Sequence, residues 1–157
     1  MTISKRLICG LALAAVASVP LSAAVVLAAR HAGNFTFTAA GTLVPLTAAN
    51  ATSVAFNGSG VHAISYSAEC ETTGAWLSIE ILVDGVALVP TGGTSDAFCS
   101  DHKTLESLDG WTTASITVAT GNIAGGVHTV QVRGTAVANG GASDTGWLGD
   151  STLIIWK

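Results

Sequence analysis

Residues 75–91 read AWLSIEILVDGVALVPT, and the reading of this stretch decides the fold. Two β-rich runs flank Asp84-Gly85. Asp-Gly between alternating apolar residues is a strong hairpin signal, because both central residues of a type I′ turn need positive φ. A two-residue loop fixes the register. Val83 then faces Val86, Ile81 faces Leu88 and Ile79 faces Pro90. These positions share one face and form a predicted core stripe. Pro90 has no N–H to give a ladder and ends the second strand. Cys70 precedes the hairpin and Cys99 follows it.

Working outward, the same alternation recurs. Residues 61–70, VHAISYSAEC, put Ile64, Tyr66, Ala68 and Cys70 on one face and Ala63, Ser65, Ser67 and Glu69 on the other. Residues 111–120, WTTASITVAT, align Ala114, Ile116 and Val118. Residues 127–133 turn Val130 and Val132 inward and Thr129, Gln131 and Arg133 outward. Residues 147–157 oppose Leu153 and Ile155 to Ile154 and Trp156. Upstream, strands are predicted over 31–40, 42–46 and 52–56, with Pro45 marking an edge. Turns are predicted at 57–60 (NGSG), at Gly121-Asn122 with Gly125-Gly126, and at 139–141. Residues 91–110 form a long acidic loop, with either a short strand around Phe98 or a helical turn around Leu105 to Leu108 expected within it. No amphipathic helix follows residue 30. The expectation is all-β: one antiparallel β-sandwich over residues 30–157, jelly-roll-like, with about eight strands.

The first thirty residues differ in kind. Lys5 and Arg6 precede an almost wholly apolar run from 7 to 29, broken by Ser18, Pro20 and Ser22. This is a signal-peptide pattern over residues 1–28, a helical leader or an uncleaved anchor. Ser22-Ala23-Ala24 and Val26-Leu27-Ala28 both satisfy the small-residue rule for cleavage. Without the leader, four basic residues (Arg30, Lys103, Arg133, Lys157) face ten acidic ones, so the formal charge moves from −4 to −6. That balance argues against nucleic acid and anionic membrane as partners. Charged residues are 10% of the chain, against roughly 25% in an average domain. Export leaves Cys70 and Cys99 as a pair, and a disulfide is their default state in an oxidising compartment. The protein is therefore expected outside the cytoplasm.

The segment Gly126-Val127-His128-Thr129-Val130-Gln131-Val132, followed by residues 148–155 (LGDSTLII), resembles the closing strands of bacterial secreted and phage-associated β-sandwich modules. Those carry G-x-H-T-V-x-V and then L-x-D-x-x-L-x-V. The resemblance touches most of residues 60–157. It implies the sandwich fold and carries no particular activity.

Few residues offer chemistry. Gly149-Asp150-Ser151 resembles the GDS block of GDSL-type hydrolases, but that serine lies early in an α/β chain with its partners downstream. Here the expectation is a turn leading into the last strand. Ser100-Asp101-His102 sets three triad residue types side by side, where neighbours do not converge. His62 and His128 each begin a strand, and the scattered histidines make no metal site. Calcium is the one cofactor worth weighing, through Asp96, Asp101, Glu106 and Asp109, although the D-x-D-x-D-G spacing is missing. The best binding clue is aromatic. Trp111 and Trp147 both follow glycine at loop-to-strand junctions, where exposed rings stack on sugars, although core packing competes for each ring. The candidate binding residues are Trp111, Trp147, Asp109 and Asp101. The expected function is an exported, non-enzymatic binding or structural module facing an extracellular glycan or protein, with carbohydrate binding the specific alternative.

Overall fold

The computed structural model describes residues 23–37, 41–73, 75–88, 97–100, 111–138 and 145–157. Among these, the strands in order are β1 (Val25–His31), β2 (Phe35–Phe37), β3 (Thr42–Leu43), β4 (Val54–Gly60), β5 (Ala63–Thr73), β6 (Ala75–Val83), β7 (Val86–Leu88), β8 (Ala97–Ser100), β9 (Thr112–Ala119), β10 (Ile123–Ala138) and β11 (Thr145–Trp156). They form two antiparallel sheets. The front sheet runs β1–β11–β5–β9, and β2 extends β1's side of β11. The back sheet is centred on β10 and β6, with β3 and β4 on one side and β7 and β8 on the other.

The eight longer pieces alternate between sheets as the chain proceeds, except that β6 and β8 both lie behind. β1, β5, β9 and β11 lie in front; β4, β6, β8 and β10 lie behind. The two orders, β1–β11–β5–β9 and β4–β10–β6–β8, are those of a jelly roll. The core between the sheets follows from period-two alternation. Ile64, Tyr66, Leu153 and Ile155 come from the front sheet, and Leu77, Ile79, Ile81, Val130 and Val132 from the back, all essentially inaccessible. Each such side chain stabilises the fold by about 1.5–3 kcal/mol through burial. Val44 and Leu46, just after β3, also enter this core.

The hairpin is as expected at its tip. Asp84 has φ 51° and Gly85 φ 80°, and Val83 pairs with Val86 and Ile81 with Leu88. The stripe is not continuous, however. Val86 is 67% exposed while Leu82, on the opposite face, is 5% exposed. The short β7 leaves the sandwich edge, so its first residue has nothing to pack against. Pro90 lies outside the described residues.

Other boundaries also shift. β1 begins at Val25, ahead of the residue-30 start expected for the domain, and His31 ends a strand instead of beginning one. The expected turn at 57–60 is the second half of β4, and Gly125-Gly126 lies inside β10 at a bulge. Gly58 can be extended there because it leaves room for a ring: a Cβ on it would lie 2.6 Å from His62 Nε2.

Cys70 and Cys99 are joined by a disulfide that ties β5 of the front sheet to β8 of the back. The Thr112 hydroxyl sits 3.6 and 3.7 Å from the two sulfurs.

Candidate functional site

On β5, Cys70 and Thr72 point into the sandwich, so Glu69 and Glu71 point out. On β11, Leu148 is buried, so its neighbour Trp147 points out and is half-buried. The register sets Trp147 opposite Glu71 and Cys70 opposite Thr112. One further step of the latter ladder puts Trp111 level with Glu71 on the other side. The outer face of the front sheet therefore carries, in one row, Trp147, Glu71 and Trp111. Neighbouring strands are 4.7–4.9 Å apart, so the two tryptophan backbones stand roughly 10 Å apart.

A bulge in β11 completes this end of the face. Leu148 pairs with Cys70 and Ser151 with Ala68, so Gly149 and Asp150 together stand against the single Glu69. Gly149 is the residue the site needs. A Cβ there would lie 3.0 Å from Glu69 Oε2 and 3.2 Å from Trp111 Cζ3. The Trp111 ring and the Glu69 carboxylate thus close over the bare backbone of the bulge. Away from the row, the face continues as a flat field of Ser65, Ser67, Ser115, Thr117 and Thr152, with the Ser65 and Thr117 hydroxyls 2.9 Å apart.

The bulge also explains the GDS motif. The extra residue turns Asp150 outward, where its carboxylate accepts from Gly33 N–H at 2.9 Å and Arg30 Nη2 at 3.1 Å. These partners, the Gly33 N–H first, hold the Asp150 carboxyl below its usual range. Ser151 faces inward and is 4% exposed. His31 is its cross-strand partner, which the motif's usual downstream order does not anticipate. That histidine is buried and turns Nε2 to Oδ1 of the exposed Asn50 at 3.1 Å. Nearby Tyr66 has its phenol pushed up to about 12 by burial. The Ser151 hydroxyl tempers that rise without completing a hydrogen bond of good geometry.

In the back sheet, where β10 meets the tip of the β6–β7 hairpin, the chemistry is structural. His128 Nδ1 lies 2.7 Å from Asp84 Oδ2 and Nε2 lies 3.0 Å from the Ala124 carbonyl. A carboxylate and a carbonyl only accept, so the ring makes both bonds at once only as an imidazolium. Asp84 also accepts from Thr129 N–H at 2.8 Å. His62 is 1% exposed, packs edge-on against Phe56, and its ring nitrogens have no hydrogen-bond partner.

Of the residues singled out from sequence, Trp111 and Trp147 are brought onto one face. Asp101 and Asp109 lie outside the described residues, as do Asp96, Glu106 and His102. Among the described residues, no three His, Cys, Asp or Glu side chains gather as a metal site would require. Glu69, Glu71 and Gly149 complete the constellation, and sequence reading passed over them. The parity of Glu69 was visible beside Cys70. Its closeness to Trp111 depends on pairings among three distant strands.

No family model matches this chain, and no curated protein matches it. Among solved structures, the chain is similar to the VP2 subviral particle of infectious bursal disease virus, at 15% identity and a TM-score of 0.45. The match covers 86% of this chain and 32% of the viral one, so the chain spans about a third of that protein's length.

Proposed function

We propose that this chain is an exported, non-enzymatic β-sandwich that binds a sugar chain on the outer face of its front sheet. The observation that carries this reading is the row Trp147, Glu71, Trp111. Each indole offers a flat apolar surface to the C–H face of a pyranose. The Glu69 and Glu71 carboxylates accept hydrogen bonds from hydroxyls or from amino substituents. They also repel uronic and sulfated sugars, as does the formal charge of −6 that remains without Lys5 and Arg6. The disulfide supports placement in an oxidising compartment.

The test is a glycan array probed with the exported protein, followed by titration of intrinsic tryptophan fluorescence with each hit. Neutral or amino-bearing chains should bind and quench. Trp111→Ala and Trp147→Ala should each weaken binding by at least about tenfold, the scale of losing an aromatic anchor. The absence of any hit and any quench would sink sugar binding and leave a surface module without a glycan ligand.

A further inference from the structure

We propose that export processing cuts this chain between Ala24 and Val25. The proposal rests on the export reading above and goes beyond it by assigning the scissile bond. The sequence offers two cuts, after Ala24 and after Ala28. Both put small residues at the positions a signal peptidase reads. The fold separates them.

Val25 is the first residue of β1 and pairs with Trp156. Leu27, Ala28 and Ala29 follow against Ile155, Ile154 and Leu153. Val26, Leu27 and Ala29 pack against the core. A cut after Ala28 removes the first four residues of a seven-residue strand. It takes Val26 and Leu27 out of the core and leaves β11 from Ile154 to Trp156 with an open edge on that side. A cut after Ala24 leaves every pair of that ladder in place. It gives up only the two backbone bonds that Ala24 exchanges with Lys157, each 3.0 Å.

The leader points to the same bond independently. Signal peptides have an apolar stretch of about 7–15 residues before the cleavage segment. The run from Leu7 to Leu21 fits that length and carries Pro20 at its end. A cut after Ala28 extends the apolar run past that range. In the reaction, water adds across the Ala24–Val25 peptide, leaving a carboxylate on Ala24 and an ammonium on Val25. The enzyme is a signal peptidase with small pockets for Ser22 and Ala24.

The test is expression of the full chain in a bacterial secretion host, with intact mass and N-terminal sequencing of the exported fraction. The expected N-terminus is Val25. Ala24→Leu should block the cut, and Ala28→Leu should leave it unchanged. An exported chain that starts anywhere else, Ala29 above all, or that keeps its leader as an anchor, overturns the assignment while export itself stands. Full-length chain found only in the cytoplasm overturns the export reading as well.

Discussion

At the scale of single residues, the polar side chains of this protein divide by whether they find partners. His128 finds two acceptors and Asp84 finds two donors, and the pair pins the hairpin tip to β10. Their titration has a definite sign. The Asp84 hydrogen bond first, then the Ala124 carbonyl, raises His128 above its ordinary 6.5. Its contribution is therefore complete below 6.5 and is lost as pH rises through the raised value. The His128 hydrogen bond first, then Thr129 N–H, lowers Asp84 below its ordinary 3.8. Its contribution is complete above 3.8 and is lost as pH falls through the lowered value. The pair is strongest between those two values. His128→Gln should lower Tm most within this window, and the gap to the parent should close as pH rises through the raised His128 value. A gap that stays flat from pH 5 to 9 would remove the imidazolium from the account. Tyr66 and His62 sit at the other extreme, buried with polar atoms unpartnered. Each costs the fold a desolvation penalty of about 1–3 kcal/mol.

At the scale of elements, the disulfide is the main cross-tie between the sheets near the candidate site. It closes a separation of 29 residues. On the chain-entropy model such a closure stabilises by roughly 3–4 kcal/mol. Cys70→Ala with Cys99→Ala should lower unfolding free energy by about that amount in denaturant melts. Cys70 lies between Glu69 and Glu71, so the double variant should also weaken any ligand of the tryptophan row. The elements show what sequence alone can carry. The alternation around Tyr66, Ile79, Val130 and Leu153 was legible because burial imposes period two on each strand separately. The Asp84-Gly85 turn was legible because its backbone demands those residue types. Glycine misled elsewhere. At 57–60 and 125–126 it marks close packing over His62 and a bulge, not a change of direction. The site was half legible. Two tryptophans could be named, but the row they share is set by register across β9, β5 and β11, which no local pattern encodes.

At the scale of the whole molecule, the front sheet is built from strands distant in sequence. β11 lies between β1 and β5, so pairs such as Val25 with Trp156 join nearly opposite ends of the chain. Such topology makes folding slow, because loop closure precedes any reward from contact. Refolding followed by tryptophan fluorescence in stopped flow should fall in the range of about milliseconds to seconds. Deleting residues 145–157 should leave no cooperative transition, since β1 and β2 lose their partner strand and β5 loses one of its two. Microsecond folding, or a cooperative melt in the truncated chain, would contradict this assembly order.

The pairing of Val25 with Trp156 has a further consequence for how the domain is mounted. Both described ends leave the sandwich at one pole, beside Trp156. The row with Trp147 lies nine residues up the same strand, a rise of roughly 30 Å. Anything joined at either end is therefore held at the base of a short stalk, with the tryptophan face carried at its tip, clear of the attachment point.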